Sequence, residues 1–297
     1  MIPTTHSRQA AAKSMSLNPS LFCIGLGYSA RYLAQRLLPK GWTVTGTYRE
    51  DPPAGFPAGV RLVKYGDVSS KDLSETTRLL LSAPPGPDGD PVMADLGTAI
   101  READSLQWIG YLSTTGVYGD AGGAWVDESS PLNPGNDRGR YRADAEAAWL
   151  AFGEKTSVPV QVFRLAGIYG PGRNPVDQVK RGTARRIDKP GHAFSRLHVE
   201  DIAAVLEASI NTPNAGAIYN VCDDEPAPQA DVIAHACELL GVDILPLIRF
   251  DDAAKDMSPM ALSFWADNRR VSNKRLREEL GVNLSYPTYR EGLASLA

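Results

Sequence analysis

The residues Leu21-Phe22-Cys23-Ile24 run directly into Gly25-Leu26-Gly27-Tyr28-Ser29-Ala30 and then into a helix-forming stretch that reaches Leu38. An uninterrupted apolar tetrad fits a strand buried on both faces, and the Gly-x-Gly-x-x-Ala spacing suits a strand-to-helix turn around a diphosphate. The first glycine permits the tight turn, the second lets the diphosphate reach the backbone, and the small Ala30 allows close helix–strand contact. Gly41 then stops the helix and Trp42–Tyr48 supplies a second strand, completing a βαβ unit. A dinucleotide site is therefore expected here, with Gly25, Gly27, Tyr28, Ser29 and Ala30 at its diphosphate end.

Further short apolar runs follow at Val60–Val63, Leu79–Leu81, Trp108–Leu112 and Val158–Phe163, with helix-length segments between most of them. Parallel neighbours need crossover connections, so this alternation predicts an α/β, doubly wound Rossmann fold with a parallel sheet. The pattern becomes irregular after Arg164, where Gly170-Pro171-Gly172-Arg173 interrupts regular structure. The expected organisation is a mobile leader over residues 1–20 and a nucleotide-binding domain over 21–164, with return segments near 196–222. A smaller, discontinuous substrate region then takes 165–195 and 223–297. The polar stretch Gly119–Asp137 is expected to be a functional surface loop.

The chain has 297 residues, enough for a substantial core, with Lys+Arg 31 against Asp+Glu 35. A formal charge of -4 gives no reason to expect a nucleic-acid or membrane-surface partner. No apolar run suggests a signal peptide or a membrane span. Cys23, Cys222 and Cys237 form an odd set without Cys-x-x-Cys spacing, which favours a reducing cytoplasm. His6, His192 and His235 lack carboxylate or Cys partners at ligand spacing, so no metal is expected.

The second strand ends in Gly46-Thr47-Tyr48-Arg49, without the acid that would hydrogen-bond a free ribose 2′-hydroxyl. Arg49 with Thr47 would instead suit a 2′-phosphate, so NADP(H) is favoured over NAD(H). Asp67 and Val68 after the third strand, and Ser82, Ala83 and Pro84 after the fourth, are expected on the cofactor rim, at carboxyl ends of strands.

Three later segments, Tyr111-Leu112-Ser113-Thr114-Thr115-Gly116-Val117-Tyr118-Gly119, Arg164-Leu165-Ala166-Gly167-Ile168-Tyr169-Gly170-Pro171-Gly172-Arg173 and Arg196-Leu197-His198-Val199-Glu200-Asp201, occur in order with Tyr219-Asn220-Val221. Together they resemble the extended short-chain dehydrogenase/reductases, the NAD-dependent epimerase/dehydratase family, and look most like its branch named nucleoside-diphosphate-sugar epimerase-like. The resemblance implies that Thr114 hydrogen-bonds the substrate oxygen that gains or loses a proton. It also implies a Tyr four residues before a Lys, whose ammonium lowers the phenol pKa.

That pair is altered in Asp137-Arg138-Gly139-Arg140-Tyr141-Arg142-Ala143-Asp144-Ala145-Glu146. Taking Tyr141 as the acid puts Ala145 at the Lys position; aligning on Glu146 puts Arg142 at the Lys position and Arg138 at the Tyr position. Tyr141 is the leading proton carrier in the first register, and Arg142 a cofactor or substrate contact in the second. Thr115 and Tyr118 are alternative polar groups near the reacting centre, although Thr115 carries no carboxylate for dehydration. Arg173, Arg196 and His198 are expected to form an anion-binding rim, with His198 alternatively a structural residue.

The resulting expectation is a cytoplasmic NAD(P)-dependent oxidoreductase, possessing the altered Tyr/Lys pair, that transfers hydride at a carbonyl or hydroxyl carbon of a small polar substrate, anionic or a sugar nucleotide. A sugar epimerisation through transient oxidation is the enzymatic alternative, and a catalytically degenerate NADP(H)-binding sensor or scaffold the non-enzymatic one. Family resemblance also suggests a homodimer.

Overall fold

The computed structural model describes residues 18–52 and 55–297. Its centre is a seven-stranded parallel sheet of β1 (Ser20–Ile24), β2 (Thr43–Tyr48), β3 (Val60–Lys64), β4 (Arg78–Leu81), β5 (Trp108–Thr114), β7 (Val160–Leu165) and β11 (Ile218–Val221). The strands lie in the order β11-β7-β5-β4-β1-β2-β3. Three two-stranded ribbons complete the strand set: β6 (Trp125–Val126) with β13 (Arg270–Val271), β8 (Gly167–Tyr169) with β10 (Arg196–His198), and β9 (Arg186–Asp188) with β12 (Leu247–Arg249).

One face of the sheet carries α1 (Tyr28–Leu37), α6 (Val199–Asn211) and α10 (Lys274–Leu280), whose Leu33, Leu206 and Leu276 share a core with Leu21 and Cys23. The other carries α2 (Ser70–Ser74), α3 (Pro91–Arg101) and α4 (Asp137–Thr156), with Trp149 and Phe152 packed on Phe22 and Ile109. Each large side chain so buried contributes roughly 1.5–3 kcal/mol. Beyond the carboxyl edge lie α5 (Pro175–Lys180), α7 (Gln229–Leu240), α8 (Phe250–Ala253), α9 (Pro259–Ala266) and α11 (Tyr289–Ala294). No described helix is long and apolar enough to cross a membrane.

The doubly wound α/β expectation holds, and the strand order reverses between β1 and β4, the position at which such sheets bind ligands. Several boundaries move. Trp42 precedes β2, and the run expected at Val158–Phe163 pairs as Val160–Leu165, because its register is set by β5 from Ile109↔Val160 to Thr114↔Leu165. The same pairing extends β5 to Thr114. The segment Gly119–Asp137 is no free loop: β6 within it pairs with β13, bracing the C-terminal region. The leader expected over residues 1–20 lies outside the described residues up to 17, and Ser20 already belongs to β1.

Candidate functional site

Gly25 follows β1 at φ 94°, where an L side chain is strained, and its N–H donates to Thr47 Oγ1 at 2.8 Å. Leu26 N–H donates to the Thr47 carbonyl at 3.0 Å, so the turn is fastened to the end of β2. Gly27 caps α1 without any side chain over the helix end, and no acid occupies the first turn. A Cβ on Gly27 would stand 3.8 Å from Ser82 Oγ, in space a side chain would otherwise take from a ligand. Free amides at the positive end of a helix suit a diphosphate. Ala30 is fully buried, which keeps α1 close to the sheet.

The turn opens on a cavity of about 230 Å³ lined by Thr47, Arg49, Tyr65, Ala83, Pro84 and Pro91 among others. Arg49 is exposed at its lip. Thr47 is buried and its hydroxyl accepts the Gly25 amide, so it braces the glycine turn while lining the same cavity as Arg49. Asp67 and Val68 line neither this cavity nor the larger one beside it: Asp67 points to solvent and Val68 packs against the core. Tyr65 stands at the wall instead, its hydroxyl donating to Asp95 at 2.9 Å.

The larger cleft, about 800 Å³, begins at Tyr28, Ser29, Ser82 and Pro84 and runs past Thr114 and Thr115. Thr114 is the last residue of β5, and its Oγ1 accepts the Gly116 amide at 3.1 Å. On the α4 side the cleft is lined by Arg138 and Arg142, one turn apart, and not by Tyr141. Arg142 donates to the Leu112 carbonyl and to Tyr111 Oη (3.3 Å), with its guanidinium over the Tyr111 ring.

The phase of α4 comes from Glu146, which is buried in an ion pair with Arg164 (2.7 Å) and accepts Ser113 Oγ. At about 100° per residue, Arg142 lies about 40° around the helix from Glu146, Arg138 about 80° and Tyr141 about 140°. The second alignment register is therefore the one the helix presents to the cleft.

Two other expected site residues are internal. Tyr118 is 3% exposed; its hydroxyl donates to Asn220 Oδ1 and accepts from Arg164, both at 2.8 Å. His198 is 1% exposed and caps α6, with Nδ1 accepting the Glu200 amide at 3.3 Å. Its ring packs on Tyr169 and Tyr286, and burial pushes its pKa down, so it is a neutral structural residue. Neither lines the cleft.

Arg173 and Arg196 do line it, as does Arg269, which donates to the Gly119 carbonyl (2.7 Å) and Asp267 (3.1 Å). Among the described lining residues five arginines (138, 142, 173, 196 and 269) face one acid, Asp267, so the cleft is built for negative charge. Arg269, Asp267 and the wall formed by Phe194, Phe264 and Trp265 were not readable from sequence, since nothing local marks them as neighbours of Thr114. Among the described residues no cluster of His, Cys, Asp and Glu has the form of a metal site.

No family model matches the chain. It is 30% identical over 264 residues to the 3-diazoavenalumate denitrifying reductase of a Streptomyces species, covering 82% of this chain and 74% of that one. A solved structure of a conserved protein of unknown function from Silicibacter pomeroyi is 50% identical, with a TM-score of 0.87, covering 94% of this chain and 98% of the other. The dTDP-glucose 4,6-dehydratase of Bacillus anthracis, solved in complex with NAD, shares the fold at a TM-score of 0.73 and 17% identity, covering 94% of each chain.

Proposed function

Because this chain belongs to the extended short-chain dehydrogenase/reductases, the NAD-dependent epimerase/dehydratase family, we propose that it is a nicotinamide-dependent oxidoreductase acting on a small anionic substrate with a reactive carbonyl or hydroxyl carbon. The observation that carries this reading is that the cavity at the glycine turn shares Ser82 and Pro84 with a cleft lined by Thr114, Arg138 and Arg142. Gly25 and Gly27 would hold the diphosphate, and Arg49 at the lip of the smaller cavity would favour the 2′-phosphate of NADP(H). Such a cofactor, when bound, would supply or accept the hydride.

The protein's own part is orientation and charge. Thr114 Oγ1 takes the Gly116 amide on a lone pair, leaving its proton for the substrate oxygen. Arg142 stands where the family carries Lys and Arg138 where it carries Tyr. Guanidinium groups do not release protons at working pH, so the pair stabilises negative charge on the substrate oxygen, and the proton that neutralises it comes from water in the open cleft. On this reading the leading role passes from Tyr141, which does not line the cleft, to Arg138 and Arg142, which do. Three buried, unpaired cysteines suit a reducing cytoplasm.

The lack of an α4 tyrosine at the cleft also favours a second reading, a dinucleotide-binding sensor without turnover. Loss of reduced-nicotinamide absorbance on mixing protein, NADPH and a panel of small oxo acids separates the two. Turnover that falls in Thr114→Ala and Arg142→Gln supports the oxidoreductase; NADPH binding without turnover across the panel supports the sensor.

A further inference from the structure

Past Thr114 the cleft continues into a lobe walled by Ile187, Phe194, Val232, Phe264, Trp265 and Leu293. Phe194 and Trp265 meet edge to face, with centroids 5.0 Å apart at 88°, forming an aromatic corner. Phe264 lines the same lobe and is 61% exposed, an apolar ring left largely uncovered by the described protein. Beside the corner stands Arg196, its guanidinium carbon 5.6 Å from the centre of the Phe194 ring.

The polar groups of this lobe are largely committed. Gln229 Oε1 accepts the Ile187 amide (2.8 Å) while its Nε2 donates to the Arg185 carbonyl (2.7 Å). Ser195 Oγ accepts the Val271 amide (3.1 Å), and Ser263 Oγ donates to the Met260 carbonyl (2.7 Å). A hexose brought here would strand several hydroxyls against apolar walls, at a cost of about 1–3 kcal/mol for each one left unpaired. Two groups are exceptions: the buried Tyr169 hydroxyl, which has no hydrogen-bond partner among the described residues, and Arg196. Its Nη1 is held by the Phe194 (2.8 Å) and Ala227 (3.0 Å) carbonyls, whereas Nε and Nη2 have no hydrogen-bond partner among the described residues.

Building on the oxidoreductase reading, we propose that the substrate is a flat, aromatic-bodied carboxylic acid, its carboxylate paired with the open edge of Arg196 and its body against Phe194, Trp265 and Phe264. A planar guanidinium edge matches one carboxylate through two parallel hydrogen bonds. The aromatic corner supplies ring contacts for an unsaturated body but little for a polyhydroxylated one.

The test is calorimetric titration of the full chain, with and without NADPH, using cinnamate, cinnamamide, phenyl phosphate and UDP-glucose. Cinnamate is expected to bind at least tenfold more tightly than each of the other three. Arg196→Gln is expected to weaken cinnamate at least tenfold. Phe264→Ala, a surface change that leaves the backbone bridge of Arg196 untouched, is expected to weaken it severalfold. Equal affinity for cinnamate and cinnamamide, or tighter binding of phenyl phosphate or UDP-glucose, overturns the assignment. The lobe exists without the cofactor, so ligand preference is read independently: failure of NADPH to bind counts against the oxidoreductase reading, and loss of cinnamate preference against this one.

Discussion

Glu146 and Arg164 form an ion pair of 2.7 Å in which both side chains are 3% exposed, and this contact between α4 and β7 determines which residues of α4 face the cleft. Arg164 reaches on to the Tyr118 hydroxyl, and Glu146 to Ser113, the residue preceding Thr114. The pair thus ties the helix to the strand end that carries the chemistry.

Arg164→Met leaves the Glu146 carboxylate buried without its partner, and breaking such a pair costs about 3–5 kcal/mol. Urea denaturation is expected to show a loss of that size, and a loss under about 1 kcal/mol would mean that the pair does not set the helix.

Arg142→Gln keeps hydrogen-bonding atoms but removes the charge beside Thr114. Removing a group that stabilises a substrate oxyanion typically costs about 10²–10³ in kcat. Tyr141→Phe is expected to change kcat/KM less than about twofold, since Tyr141 does not line the cleft. Steady-state kinetics on both variants checks this; a reversed order of effects restores the tyrosine mechanism.

How much of this was legible in the sequence depended on distance along the chain. The glycine turn could be read because its parts lie within six residues of a strand and a helix, and Thr114 because its motif is local. The choice between Tyr141 and Arg142 could not, because it depends on Glu146 meeting Arg164 across 18 residues. Tyr118 and His198 looked available because a sequence does not display burial; both are enclosed by partners from remote segments, Asn220 and Tyr286 among them. The apolar lobe joins Phe194 to Trp265, and no periodicity links them.

Arg49→Ala tests cofactor preference. Loss of one charge-assisted phosphate contact should weaken NADPH roughly tenfold and leave NADH nearly unchanged. Fluorescence titration of both dinucleotides gives the ratio, and equal weakening of the two would remove the argument for NADP(H).

Asp223 makes stability depend on pH. Its carboxyl is pushed up to about 8, chiefly by burial, with the Arg196 guanidinium opposing. Between the ordinary carboxylate range and that value the folded chain holds a proton that the unfolded chain has released, so stability falls as pH rises through this window. Asp223→Asn is expected to flatten the fall. In thermal scans at about pH 5 and about pH 9, the wild type should lose several degrees more than the variant; parallel losses would contradict the assignment.

The most direct test of the central claim is calorimetric titration of NADPH into the wild-type protein and into Gly27→Asp, which places a carboxylate where the diphosphate is held. One site per chain in the wild type, weakened at least a hundredfold in the variant, is the predicted result; no binding to the wild type, or the same affinity in both proteins, would contradict it.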